Sequence, residues 1–258
     1  MAHPANRNDA RNGLPMKKIC FFGDGLTFGV GDIEQGGWPA RLCRQEAERV
    51  QDLQVYNLAV PTQTSADIAA RWRAEAEPRL TGVVRSGVVF GFGLSDMADS
   101  DDQGIRVPLP ETMAWAERII AEAKVWRPVL WIGPAPVLRS AEARDEGGHW
   151  VAYSAARLAA LNEAFRTLAA ELAVPYLDLC AALGDNKAYR RALVAGDGVY
   201  PTPAGHALVA EAVAAWSAWH DWFPRQRTTA AAKRDPNAFQ PIEFRRVVNE
   251  DKVQTAIL

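Results

Sequence analysis

Five short apolar runs that alternate with longer helical patterns constrain this chain more than any other feature of its sequence. The runs are residues 18–22 (KICFF), 53–58 (LQVYNL), 87–92 (GVVFGF), 128–132 (PVLWI) and 174–177 (VPYL). Residues 38–50, 65–79, 111–126, 150–172 and 203–223 instead repeat apolar side chains three or four positions apart, the period of a helix. A strand that is apolar throughout has no wet face, so its sheet is covered on both sides, and helix-length connections make neighbouring strands parallel. The expected fold is α/β, a doubly wound three-layer sandwich with a five-stranded parallel sheet between two layers of helices. At 258 residues the chain holds one such domain with appendages. The domain is expected over residues 16–223. Residues 1–15 carry two prolines, three asparagines and no apolar period, and read as a disordered leader. Residues 224–258 are polar and proline-interrupted up to a short apolar patch at 242–248, and read as an extension that drapes over the domain or reaches a second copy in a homo-oligomer.

Chemistry in such sheets collects at the carboxyl ends of the strands. Residues 23–31, 59–64, 93–98 and 133–149 leave a strand at that edge, and residues 196–203 precede the last helical pattern. What they offer is narrow. Cys20, Cys43 and Cys180 are far apart and odd in number, so neither a disulfide framework nor a zinc knuckle is expected, and no His or Cys spacing suits a metal. No phosphate loop or dinucleotide fingerprint occurs, and no cofactor is expected. With 29 Lys and Arg against 31 Asp and Glu, the formal charge of −2 signals no nucleic-acid partner. No apolar run approaches the roughly 20 residues of a membrane span, nor is there a secretory signal, so the expected location is the cytoplasm.

The first edge segment continues FFGDGLTFG, the second is AVPTQT, the third begins GLSD at 93–96, the fourth contains PAP at 134–136, and the last is DGVYPTPAGH at 197–206. In this order and spacing the segments resemble the blocks of the GDSL, or SGNH, hydrolases, whose domain is flavodoxin-like. The resemblance implies a serine esterase, lipase or acyl-transfer enzyme on a small acyl substrate, with an Asp-x-x-His dyad orienting the nucleophile. This chain departs from that pattern where the chemistry is done. Gly25 stands at the position of the nucleophilic Ser, Tyr200 at that of the His, Thr62 at that of the second-block Gly, and Ser95 at that of the third-block Asn. Of the triad, Asp197 alone is kept.

Glycine has no atom with which to form an acyl-enzyme, and a phenol with a reference pKa near ~10 is a poor general base at neutral pH. Serine-nucleophile chemistry is therefore not expected. Loss of the Ser side chain is expected to enlarge the cleft. Thr62, Gln63, Thr64, Ser95, Asp96 and Tyr200 would then line it with neutral donors and acceptors, and Gly25 would offer its N–H to a bound carbonyl. The candidate catalytic residues are Asp24, Asp197 and Tyr200; the candidate binding residues are Gly25, Thr62, Gln63, Ser95 and Asp96. Each has a plainer alternative. Asp24 suits the cap of a helix, and Asp197 with Tyr200 suits a loop hydrogen bond. His206 reads as a packed core histidine more readily than as a base, His149 as a solvated loop residue, and Trp38 as packing for the first helix. Three functions remain open. They are an enzyme repurposed to acid/base chemistry on a small ester or carbonyl compound, a pseudoenzyme that binds a ligand or partner, and a weak residual esterase. The polar lining favours the first.

Overall fold

The computed structural model describes residues 14–82, 84–100, 104–138, 140–144 and 150–224. Nearly all of the leader, the extension beyond Pro224, and His149 lie outside them. The chain begins with β1 (Lys18–Gly23), α1 (Gly25–Phe28), α2 (Gly37–Ala47), β2 (Gln54–Asn57), α3 (Ser65–Arg79) and β3 (Ser86–Gly91). Two two-residue strands, β4 (Asp99–Ser100) and β5 (Gly104–Ile105), precede α4 (Leu109–Trp126) and β6 (Val129–Ile132). Next come β7 (Ser140–Arg144), β8 (Trp150–Ser154), α5 (Ala155–Glu171) and β9 (Tyr176–Leu177). The helices α6 (Leu179–Leu183), α7 (Lys187–Ala195), α8 (Pro203–Ala214) and α9 (Ser217–Trp222) close the domain.

The main sheet has the order β2-β1-β3-β6-β9 and all its pairs are parallel, as the continuous apolar runs require. Within β1 the pleat splits the run between the two faces. Ile19 and Phe21 enter a core shared with Trp38 and Leu42 of α2, Val209 and Val213 of α8 and Trp219 of α9. Cys20 and Phe22 enter a second core with Ile68 and Trp72 of α3, Ile119 of α4 and Phe165 of α5. The sandwich is therefore three-layered, with the sheet in the middle.

Three expectations need correction. The helix expected over 150–172 starts at Ala155, because residues 150–154 are strand β8 and the Ser154 hydroxyl caps the helix by accepting from the N–H of Arg157. The pattern over 203–223 is two helices separated at Ala215 and Trp216. Helices α6 and α7 were not expected. Their starts follow from Asp178 and Asn186, whose side chains accept from the first free N–H groups. Strand β8 belongs to a second, antiparallel sheet, β5-β4-β8-β7, built from the excursions after β3 and β6. An ion pair between Arg157 and Asp99 ties this small sheet to the start of α5. No helix among the described residues is long and apolar enough to cross a membrane.

Candidate functional site

The centre is built at the carboxyl end of β1, where the chain turns into α1. Asp24 is the N-cap of that helix and is buried. Its Oδ1 accepts from the N–H of Leu26 at 3.4 Å and its Oδ2 from the N–H of Leu94 at 3.1 Å. The N–H of Ser95 also bonds it. Capping is thus a role it does perform, and it also pins the segment after β3 to the segment after β1. Burial first, and then the nearby charge of Asp96, push its carboxyl up to about 7 despite the three donors.

Gly25 and Tyr200 meet. A Cβ placed on Gly25 would lie 2.5 Å from Tyr200 Oη, 2.7 Å from Cζ and 2.8 Å from Cε1. The phenol therefore fills the volume of a side chain at position 25, so among the described residues the absence of the Ser side chain does not widen the crevice at this point. Removing a side chain enlarges a cleft only if nothing bulkier moves in, and a tyrosine reaches across from the loop before α8. Its hydroxyl pairs with that of Tyr153 on β8. Both rings are buried, which keeps both phenols neutral: Tyr153 is pushed up to about 12 and Tyr200 well above its ordinary value, in each case chiefly by burial.

Asp197 does not hold the phenol. Its Oδ1 accepts instead from the N–H groups of Val199 at 2.9 Å and of Tyr200 at 2.6 Å, the loop hydrogen bonds that an Asx turn requires. It therefore sets the backbone from which the Tyr200 ring projects. Asp96 is fully buried and shared among the N–H of Ser65 at 3.0 and 3.1 Å, the hydroxyl of Ser65, and that of Thr112 at 3.3 Å. Desolvation raises its carboxyl too. It ties α3 and α4 to the crevice floor.

Thr62 and Gln63 lie on the loop between β2 and α3. Thr62 has φ +63°, a left-handed backbone that a β-branched residue adopts at a cost and that glycine adopts freely. Position 62, which the family blocks give to Gly, thus has a backbone that favours glycine. The carbonyl of Thr62 accepts from Arg106 Nη1 at 2.8 Å, and Gln63 Oε1 accepts from Arg71 Nε at 2.6 Å. Ser95 is fully buried beside Asp24, and its Oγ has no partner among the described residues.

Beneath Asp24 is a cavity of about 10 Å³, walled by Asp24, Thr27, Trp38, Phe92, Leu94 and Leu179 among others. That is room for one water. The Nε1 of Trp38, which is itself buried, has no partner among the described residues. His206 is a core histidine. Its Nδ1 accepts from the N–H of Trp38 at 3.3 Å, so Nε2 carries the proton and donates to the Val30 carbonyl at 2.8 Å. Burial lowers its pKa and keeps it neutral. It joins α8 to the segment that links α1 and α2.

The structure thus brings Asp24, Gly25, Ser95 and Tyr200 together, with Asp96 behind them, while the side chains of Asp197 and Gln63 are engaged elsewhere. Tyr153 is not among the candidates that the sequence offers, because the helical spacing over 150–172 runs through it. Among the described residues no three His, Cys, Asp or Glu side chains are grouped so as to hold a metal ion.

Residues 21–208 match the model of the GDSL-like lipase/acylhydrolase family. No curated protein sequence matches the chain. Among solved structures it is similar to a lipase/acylhydrolase from Enterococcus faecalis, at 22% identity over 77% of this chain and 93% of that one, with a TM-score of 0.60. It is also similar to Axe2, an acetylxylan esterase from Geobacillus stearothermophilus, at 19% identity over 77% and 92%, with a TM-score of 0.59. LAE5, an alpha/beta hydrolase from the metagenome of Lake Arreo, shares 18% identity over 82% and 98%, with a TM-score of 0.60. At these identities the likeness is one of fold.

Proposed function

The chain belongs to the GDSL-like lipase/acylhydrolase family, and on that premise we propose that it is a non-hydrolytic member whose fold serves binding rather than acyl transfer. One observation carries this reading: Tyr200 Oη lies 2.5 Å from where a Cβ on Gly25 would be, so the space of a nucleophile is occupied by the chain itself. A triad enzyme that loses one member keeps only ~10³ to 10⁴ of rate over water, from binding and oxyanion donors. Here the nucleophile and the imidazole are both replaced, and the Tyr200 ring takes the volume that a side chain at position 25 would need. We place this activity in the cytoplasm, on a small-molecule ligand or a protein partner.

A second reading is favoured by Asp24. A buried carboxyl raised to about 7 is matched to general acid/base work near neutrality, and the neutral phenol of Tyr200 is close enough for Asp24 to act on it. The two readings part in a simple assay. Purified protein with p-nitrophenyl acetate should release nitrophenol no faster than buffer. A rate above buffer that falls in Asp24→Asn and in Tyr200→Phe would replace the binding reading with the acid/base one.

A further inference from the structure

We propose that the crevice takes a small ligand bearing a carboxylate, held at the rim by the guanidinium of Arg106 together with the hydroxyl of Tyr153. This inference rests on the reading of the crevice as a binding site and names the chemical class of its ligand. The small antiparallel sheet carries it. Strand β4 lies between β5 and β8, with Asp99 opposite Ile105 on one side and Ala152 on the other. One residue back in the same registers, Ala98 stands between Arg106 and Tyr153, and the N–H of Arg106 donates to the Ala98 carbonyl at 2.9 Å. Residues directly opposite one another on antiparallel strands present their side chains to the same face. Arg106 and Tyr153 therefore share a face, two strand spacings or roughly 10 Å apart, over the methyl group of a buried alanine. That face is turned to the crevice, since Tyr153 meets Tyr200 there.

The positive charge at this rim has no answer within the fold. Arg106 is exposed, and one arm of its fork is fixed: Nη1 donates to the carbonyl of Thr62 at 2.8 Å, which ties the small sheet to the loop between β2 and α3. Among the described residues no carboxylate pairs with it. The acids of the neighbouring segments are engaged elsewhere. Asp99 pairs with Arg157, Asp67 accepts from Thr64, and Asp96 accepts from Ser65 and Thr112. Asp24 and Asp197 each accept from backbone N–H groups.

A guanidinium carries five N–H donors and accepts nothing, so with one of them committed Arg106 keeps several for an incoming oxygen anion. Tyr153 adds a neutral donor from the interior side. Its oxygen accepts from Tyr200, which leaves its own hydrogen to give. A planar fork beside a hydroxyl matches the two oxygens of a carboxylate, whereas an uncharged ligand would leave the arginine without a counterion.

Titration of the isotope-labelled full chain with acetate, benzoate and succinate, followed by NMR, tests the site. Benzamide serves as a control with the shape of benzoate and no charge, and inorganic phosphate as the rival anion. At least one of the acids should bind saturably and move the amides of Thr62, Arg106 and Tyr153, while benzamide moves none of them. Arg106→Gln should weaken that acid by at least about tenfold, the change expected when a charge-assisted bond is lost. Arg106→Lys, which keeps the charge without the fork, should weaken it several-fold, as should Tyr153→Phe. An absence of saturable binding by any of the acids, an affinity unchanged in Arg106→Gln, or binding of benzamide or phosphate as tight as that of the acid would overturn the proposal and leave the non-hydrolytic reading standing. Should Arg106→Gln fail to fold, an undiminished affinity in Arg106→Lys overturns it. Ester hydrolysis by the parent that falls in Tyr200→Phe would overturn the non-hydrolytic reading instead.

Discussion

Replacing Gly25 by alanine adds one methyl at the point where the account is most exposed. That methyl would stand 2.5 to 2.8 Å from three atoms of Tyr200, about 1 Å inside the ~3.5 to 4.0 Å at which carbons pack. The ring cannot move aside cheaply, because it is 7% exposed and its hydroxyl is bonded to Tyr153. Overpacking of this kind costs about 1 to 3 kcal/mol. In a domain of this size that lowers Tm by roughly 4 to 8 °C at the middle of the range. Calorimetry of the single variant gives the cost, and a cycle with Tyr200→Ala identifies its cause. Tyr200→Ala is itself destabilising, by about 3 to 5 kcal/mol for a buried aromatic ring. On that background Gly25→Ala should cost nothing, so the coupling between the two changes should be at least ~1 kcal/mol. An unchanged Tm in Gly25→Ala, or an equal loss in both backgrounds, would show that Tyr200 does not occupy this space.

Three further outcomes follow from the same geometry. Asp24 is raised from 3.8 to about 7, so the native state binds its proton more tightly than the unfolded state; the stabilisation is full below about pH 4 and is lost as pH rises through about 7. It amounts to ~4 kcal/mol, and urea midpoints of Asp24→Asn should lack this slope; a parallel profile in the variant would contradict it. Thr62→Gly should raise the unfolding free energy by up to ~1 kcal/mol, seen as a higher urea midpoint, since relief of a left-handed β-branched residue outweighs the added chain entropy, and a lower midpoint would refute the strain. The pair Gly25→Ser with Tyr200→His should hydrolyse short activated esters above the parent, because the histidine vacates the space the serine needs, while Gly25→Ser alone should be unstable and inactive; a folded but inactive double variant would mean that the crevice has diverged beyond its two key residues.

The sheet was legible because each strand announces itself locally. A run such as KICFF must bury both faces, and the caps Thr64 and Asp67 of α3 lie within the segment they begin. Strand β8 was not legible, although WVAYS carries the strand formers Trp, Val and Tyr, because the helical spacing of apolar residues over 150–172 runs through it; it pairs mainly with β7 and at two positions with Asp99 and Ser100. At the site, the loss of Ser and His could be read directly from the blocks. That Tyr200 fills the space of the missing side chain could not, because it depends on the reach of one ring across 175 positions of sequence and on a partner, Tyr153, in the misassigned stretch. Asp197 shows the converse: the residue that looks preserved binds backbone N–H groups, and residue identity alone does not reveal what a carboxylate accepts from.

Incubation of the purified protein with a fluorophosphonate, followed by intact-mass measurement, asks whether any residue in the crevice behaves as an activated nucleophile. With Gly25 carrying no side chain and the Tyr200 phenol held neutral by burial, the mass should remain that of the unmodified chain, while the Gly25→Ser, Tyr200→His variant gains one adduct at position 25. A stoichiometric adduct on the parent protein, mapped to Tyr200 or to Ser95, would contradict the claim that this centre is closed to acyl transfer.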